Sequence, residues 1–85
     1  MKSATLFLDR QSAVLYDDSD KRRSELYRVP VVTNTPTMRL AAAACLFGYA
    51  TARGYRITQA EGQTPHLRMA ARLYVERFDR IFRSP

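Results

Sequence analysis

This chain has almost nothing with which to cross-link itself or build a reaction centre. Its single cysteine, Cys45, excludes an internal disulfide, and its single histidine, His66, leaves no His/Cys pair at zinc spacing. Three isolated glycines, Gly48, Gly54 and Gly62, cannot form a glycine-rich phosphate loop. Lysine is scarce as well, since twelve of the fourteen bases are arginine. Acids number only eight, so the net charge is +6. The longest uncharged run, Leu40 to Ala52, has thirteen residues and rises about 20 Å as a helix, whereas a bilayer core of about 30 Å needs about 20 apolar residues. That run cannot span a membrane. The five-residue apolar stretch before Asp9 is too short for a signal-peptide core, and a lone free thiol suits a reducing compartment, so the expectation is a cytoplasmic protein.

What is present describes one ordinary globular domain over residues 1–85, 46% hydrophobic and 26% charged. A chain this short buries only about 60 to 65% of the surface its unfolded form exposes. Ala4 to Asp9 alternates, with Leu6 and Leu8 on one face and Thr5 and Phe7 on the other. Ala13 to Tyr16 follows after a polar turn, and Glu25 to Val32 resumes β-branched and aromatic usage. These predict a three-stranded antiparallel meander in which Pro30 marks a strand end or an edge strand. Thr35-Pro36 and Thr64-Pro65 each offer a capping hydroxyl followed by proline at the first helical position, which predicts two helix starts. Gly54 should end the first helix near Arg53. Arg56 to Ala60 is a candidate fourth strand. The predicted fold is a small α+β domain of order βββαβα, a three- to four-stranded, mainly antiparallel sheet with two helices on one face.

On a helical wheel the second helix places Leu67, Ala70, Ala71, Tyr74, Phe78, Ile81 and Phe82 in one stripe. Arg68, Arg72, Arg80 and Arg83 lie opposite, with Glu76 and Asp79 among them. The first helix is apolar on two sides, Met38, Ala42, Cys45, Tyr49 and Ala52 on one and Leu40, Ala44 and Phe47 on the other. That pattern predicts burial on both sides, with Cys45 inside the protein or at a contact between copies.

The segment DDSDKRR, residues 17–23, reads as a solvated hairpin tip. Asp17, Asp18 and Asp20 are hard oxygen ligands, but the glycine and terminal glutamate of a calcium loop are missing, so no metal site is expected. The buried Cys45 and the distant His66 give no nucleophile beside a base. No catalytic residues and no cofactor are expected.

A strand ending in Asp9, two further strands, then TNTPTMRLAAAACLFGYATARGYRITQAEG as loop, helix and strand resembles the opening βββαβ of the ribonuclease H-like fold over residues 4–62. The resemblance implies metal-binding carboxylates from the first strand, the start of the first helix and the end of the fourth strand. Asp9 matches the first and Glu61 approximates the third, but Arg39 stands where the helix acid belongs and would repel metal. A chain of that fold with this arginine would be a non-catalytic member.

Residues 31–85 carry eight bases against three acids, so the positive field belongs to the C-terminal part. The leading expectation is a non-enzymatic binding module. Its basic helical face, centred on Arg68, Arg72, Arg80 and Arg83 and supported by Arg22 and Arg23, would engage DNA or RNA through phosphates. Arg39, Arg53 and Arg56 would add to that field; on the competing reading Arg77 pairs locally with acids and the rest is simply the solvated side of an amphipathic helix. The alternative is an adaptor or inhibitor of the kind encoded by small accessory genes. It would bind an acidic protein surface, or a second copy as a homodimer, through a sheet edge or the second apolar side of the first helix.

Overall fold

Alternation along Ala4 to Leu8 produces the first strand, β1 (Lys2–Leu8). The computed structural model describes residues 1–19, 21–33 and 35–83, with the side chain of Arg83 outside the described part. In it β1 pairs antiparallel with β2 (Ser12–Asp17), which pairs antiparallel with β3 (Glu25–Pro30). The chain then forms α1 (Pro36–Ala52), β4 (Tyr55–Gly62) and α2 (Pro65–Arg83). β4 lies parallel to β1, on the side away from β2, because a helical crossover returns the chain in the direction of the strand it joins. The sheet order is β3-β2-β1-β4, so β3 and β4 are its two edges. This is the α+β domain of order βββαβα that the sequence predicts. Pro30 is both the last residue of β3 and part of an edge strand. The fourth strand is longer than its expected Arg56 to Ala60 core.

The helix signals are local, and they behave as expected. The Thr35 hydroxyl accepts the Met38 N–H at 3.3 Å, and the Thr64 hydroxyl accepts the Leu67 N–H at 3.1 Å. Gly54, with φ of 78°, takes the left-handed conformation that follows the end of α1. Gly62 has a different role. A Cβ there would lie 2.2 Å from the Arg68 backbone nitrogen, so only glycine lets the end of β4 meet the first turn of α2.

Both helices cover one face of the sheet. The core between them contains Ala4, Leu6, Leu8, Ala13, Leu15 and Ile57 from the strands, Ala42, Ala43, Leu46, Phe47 and Ala50 from α1, and Leu67, Ala71 and Phe78 from α2. Tyr27 of β3 stacks on Tyr49 at 4.7 Å, and Phe47 meets Phe78 and Phe82 across the helix pair.

Three expectations about the helices are corrected. α1 is buried on one side only: its buried residues are Arg39, Ala42, Ala43, Leu46, Phe47 and Ala50, while Ala41, Cys45 and Ala52 are exposed. A helix in a two-layer domain has no layer above it, and small uncharged side chains carry no polarity to show which side that is. Ile81 is 60% exposed although it was placed in the core stripe of α2, because that stripe outruns the sheet near the helix end. Asp79 does not stand among the outward charges, since it pairs with Arg56 of β4 at 3.1 Å.

The loop after β2 is the fourth correction. Among its described residues Ser19, Lys21 and Arg22 are exposed, as a solvated tip requires, but the rest of the segment is not. Arg23, with φ of 52°, turns back over the sheet face away from the helices, and its guanidinium lies 5.3 Å from the Tyr16 ring. There it reaches Glu61 at 2.7 Å and Asp18 at 3.3 Å, while the Thr5 hydroxyl donates to the Asp18 carboxylate. Beneath this strap Phe7 and Tyr16 meet edge to face, and Thr5 and Val14 are fully buried. Its reach across three strands satisfies charges that would otherwise lie on an open sheet.

Candidate partner-binding surface

The residues expected to bind a partner divide between two faces. Arg68, Arg72 and Arg80 project together from the exposed side of α2. Arg22 and Arg23 belong to the loop on the opposite sheet face, and the ion pairs of Arg23 hold its side chain there. The side chain of Arg83 lies outside the described residues.

Supporting arginines are redistributed in the same way. Arg39 is 8% exposed, Arg53 stacks at 5.0 Å over Tyr49, and Arg56 is held by Asp79. Its bond to that carboxylate raises the Arg56 pKa further. Arg77 forms no ion pair among the described residues, contrary to its expected pairing with neighbouring acids, and is exposed. Nine residues from Arg68, it lies on the opposite flank of the helix.

The acids explain why one face is so basic. Glu25 and Asp9 face Arg28 at 2.7 and 3.8 Å, and Asp18 and Glu61 face Arg23. Asp17 accepts from Ser19 and from the Tyr55 hydroxyl, which hold its carboxyl below the usual range. Asp79 takes Arg56. On the outer side of α2 Glu76 stands beside Arg72 and Arg80. The helix carries five arginines against Glu76 and Asp79, half of the net charge of +6, and with Asp79 turned to Arg56 its outer side is basic.

Asp9 and Glu61, the carboxylates singled out by the ribonuclease H-like resemblance, lie toward the same end of adjacent strands but are turned to separate partners. Asp9 closes the β1–β2 turn, accepting the Gln11 and Ser12 N–H groups at 2.8 and 2.6 Å and the Ser12 hydroxyl. Glu61 holds Arg23. Among the described residues no group of three or more His, Cys, Asp or Glu side chains could hold a metal, and no described helix is long and apolar enough to cross a membrane.

A second feature was missed in the sequence. α2 runs back along β4, from the Gly62–Arg68 contact at one end to the Arg56–Asp79 pair at the other. Between these ends lies an open groove of about 750 Å³, with Gln59, Ala60 and Glu61 on the strand side and Arg68, Arg72 and Glu76 on the helix side. Met69 and Leu73 stand at its lip, 65% and 58% exposed. Their positions on the polar side of the wheel were the available signal, and the surrounding arginines obscured it.

Comparison with protein-family models finds none that matches the chain, and searches of curated proteins and of solved structures likewise return no match.

Proposed function

We propose that the protein is a small non-enzymatic binding module that engages nucleic acid through phosphate contacts made by Arg68, Arg72 and Arg80 on α2. The observation that carries this reading is the distribution of acids. Ion pairing and hydrogen bonding engage six described carboxylates with other groups, leaving Glu76 alone on the side of α2 that carries these three arginines. Arg68 and Arg72 are one helical turn apart, about 6 Å, which suits successive phosphates of an extended strand. Arginine's planar fork adds bidentate geometry to the charge. The contacts are to the backbone and select no base sequence.

Anisotropy titration with labelled single-stranded and duplex oligonucleotides tests this directly. Three neutralised phosphates predict a loss of roughly 20- to 40-fold in affinity on raising salt fourfold. Arg72→Glu with Arg80→Glu should abolish binding at low salt. Failure to bind at low salt, or binding that survives both charge reversals, would exclude the reading.

A further inference from the structure

The edge of β4 is left open in a way that the edge of β3 is not. β3 ends in Pro30 and carries the paired Arg28 and Glu25, features that discourage further strand pairing. On β4 the charges stand toward the ends of the strand and are already paired, Arg56 with Asp79 and Glu61 with Arg23. The stretch between them, Ile57 to Ala60, has neither charge nor proline, although its register against β1 shifts by one residue at Thr58. Beside it runs the groove under α2, and at the groove's lip Met69 and Leu73 expose apolar surface that phosphate contacts leave unused.

We propose that this edge and groove take an extended segment of a protein partner as an added strand. The segment turns every second side chain toward α2, and on that one face apolar side chains meet Met69 and Leu73 and carboxylates meet Arg68 and Arg72. Each property of the occupant answers a property of the site. The unpaired strand edge calls for an extended backbone, because only that conformation presents a row of N–H and C=O groups at matching spacing. Alternation follows because successive side chains of the added strand point to opposite faces and only one face meets α2. Acidity follows from Arg68 and Arg72 on the groove wall: the Glu61 charge is already answered by Arg23, and Glu76 alone offsets the two arginines only in part. Met and Arg are also residue types enriched at protein interfaces. This inference stands apart from the nucleic-acid reading because it draws on the strand edge, but both use Arg68 and Arg72, so the two ligands compete.

The test uses the whole chain and a fluorescein-labelled peptide, Val-Thr-Glu-Thr-Val-Thr-Glu, whose valines and glutamates share one face, with an oligonucleotide run in parallel. The peptide should shift the backbone amide resonances of Ile57 to Ala60 and slow their hydrogen exchange. The same peptide N-methylated at every residue keeps its side-chain charges but loses its donors, and it should not bind. Met69→Lys with Leu73→Lys adds positive charge while removing the apolar lip. It should weaken the peptide by roughly tenfold or more and leave the oligonucleotide as tight or tighter. No shifts in β4 at millimolar peptide, equal binding of the N-methylated form, or peptide affinity unchanged by the lysine pair would each overturn the proposal. Loss of the oligonucleotide alone, on Arg80→Glu, would bear on the phosphate reading and not on this one.

Discussion

At the residue scale the contact joining β2 to β4 is a proton held between two groups. The Tyr55 hydroxyl donates to Asp17 at 2.8 Å, and Ser19 donates to the same carboxylate through its N–H at 2.8 Å and through its hydroxyl. Bonding by Ser19 first, and by Tyr55 after it, keeps Asp17 below its ordinary value of 3.8, whereas the bond to Asp17 raises Tyr55 above 10.0. The two shifts act at opposite ends of the pH scale. For Asp17, depressed on folding, the stabilisation is present above the unfolded value and fades as pH falls through the folded one. For Tyr55, raised on folding, it is present below the unfolded value and fades as pH rises through the folded one. Tyr55→Phe should therefore flatten the alkaline limb of a plot of Tm against pH and leave most of the acid limb. Ser19→Ala should raise the Asp17 carboxyl pKa, read by NMR titration, more than Tyr55→Phe does. A larger rise in Tyr55→Phe would mean that the phenol dominates.

At the scale of elements, what was legible in the sequence was local, and what was not depended on distant partners. The Thr-Pro starts of α1 and α2 and the Gly54 stop need only neighbours within a turn, so both helices lie where the sequence put them. The outward side of α1 was not legible, because Ala41, Cys45, Gly48 and Ala52 look alike whether covered or bare. Nor could the strap be seen: Arg23 and Glu61 are 38 residues apart, and nothing in DDSDKRR says which acid it will cross the sheet to meet. Of the binding surface, the arginines were legible from the wheel, but the groove was not, since it needs α2 laid against an edge whose identity depends on strand order. The caps can be weighed against each other. Each threonine to alanine change should cost about 1 kcal/mol. Thr64→Ala should cost more than Thr35→Ala, because its bond serves Leu67, which is 3% exposed, whereas Met38 is 39% exposed. Urea unfolding of the two variants, with Thr→Ser as the control that keeps the hydroxyl, gives the comparison. A Thr35→Ala cost equal to or above that of Thr64→Ala would show that burial beyond the cap does not matter.

At the scale of the whole molecule the fold separates charge. The strand layer and its strap hold most described acids in ion pairs, while α2 carries five arginines against two acids, so half of the net charge of +6 stands on that one helix. Self-repulsion along that helix opposes folding, and any ligand that binds only its folded face relieves it. A polyanion should therefore raise the Tm. At about one hundred times its Kd the linkage is worth about 2.7 kcal/mol, which for a domain of this size is a rise of roughly 10 to 20 °C. Inorganic polyphosphate separates phosphate recognition from contacts with bases. If phosphates carry the interaction, polyphosphate and an oligonucleotide should stabilise the wild type alike, and neither should stabilise Arg72→Glu with Arg80→Glu. Sodium chloride at matched ionic strength should give only the small rise that screening provides. Stabilisation by the oligonucleotide alone would assign the energy to bases, and equal stabilisation of the charge-reversed variant would remove the basic face of α2 from the account.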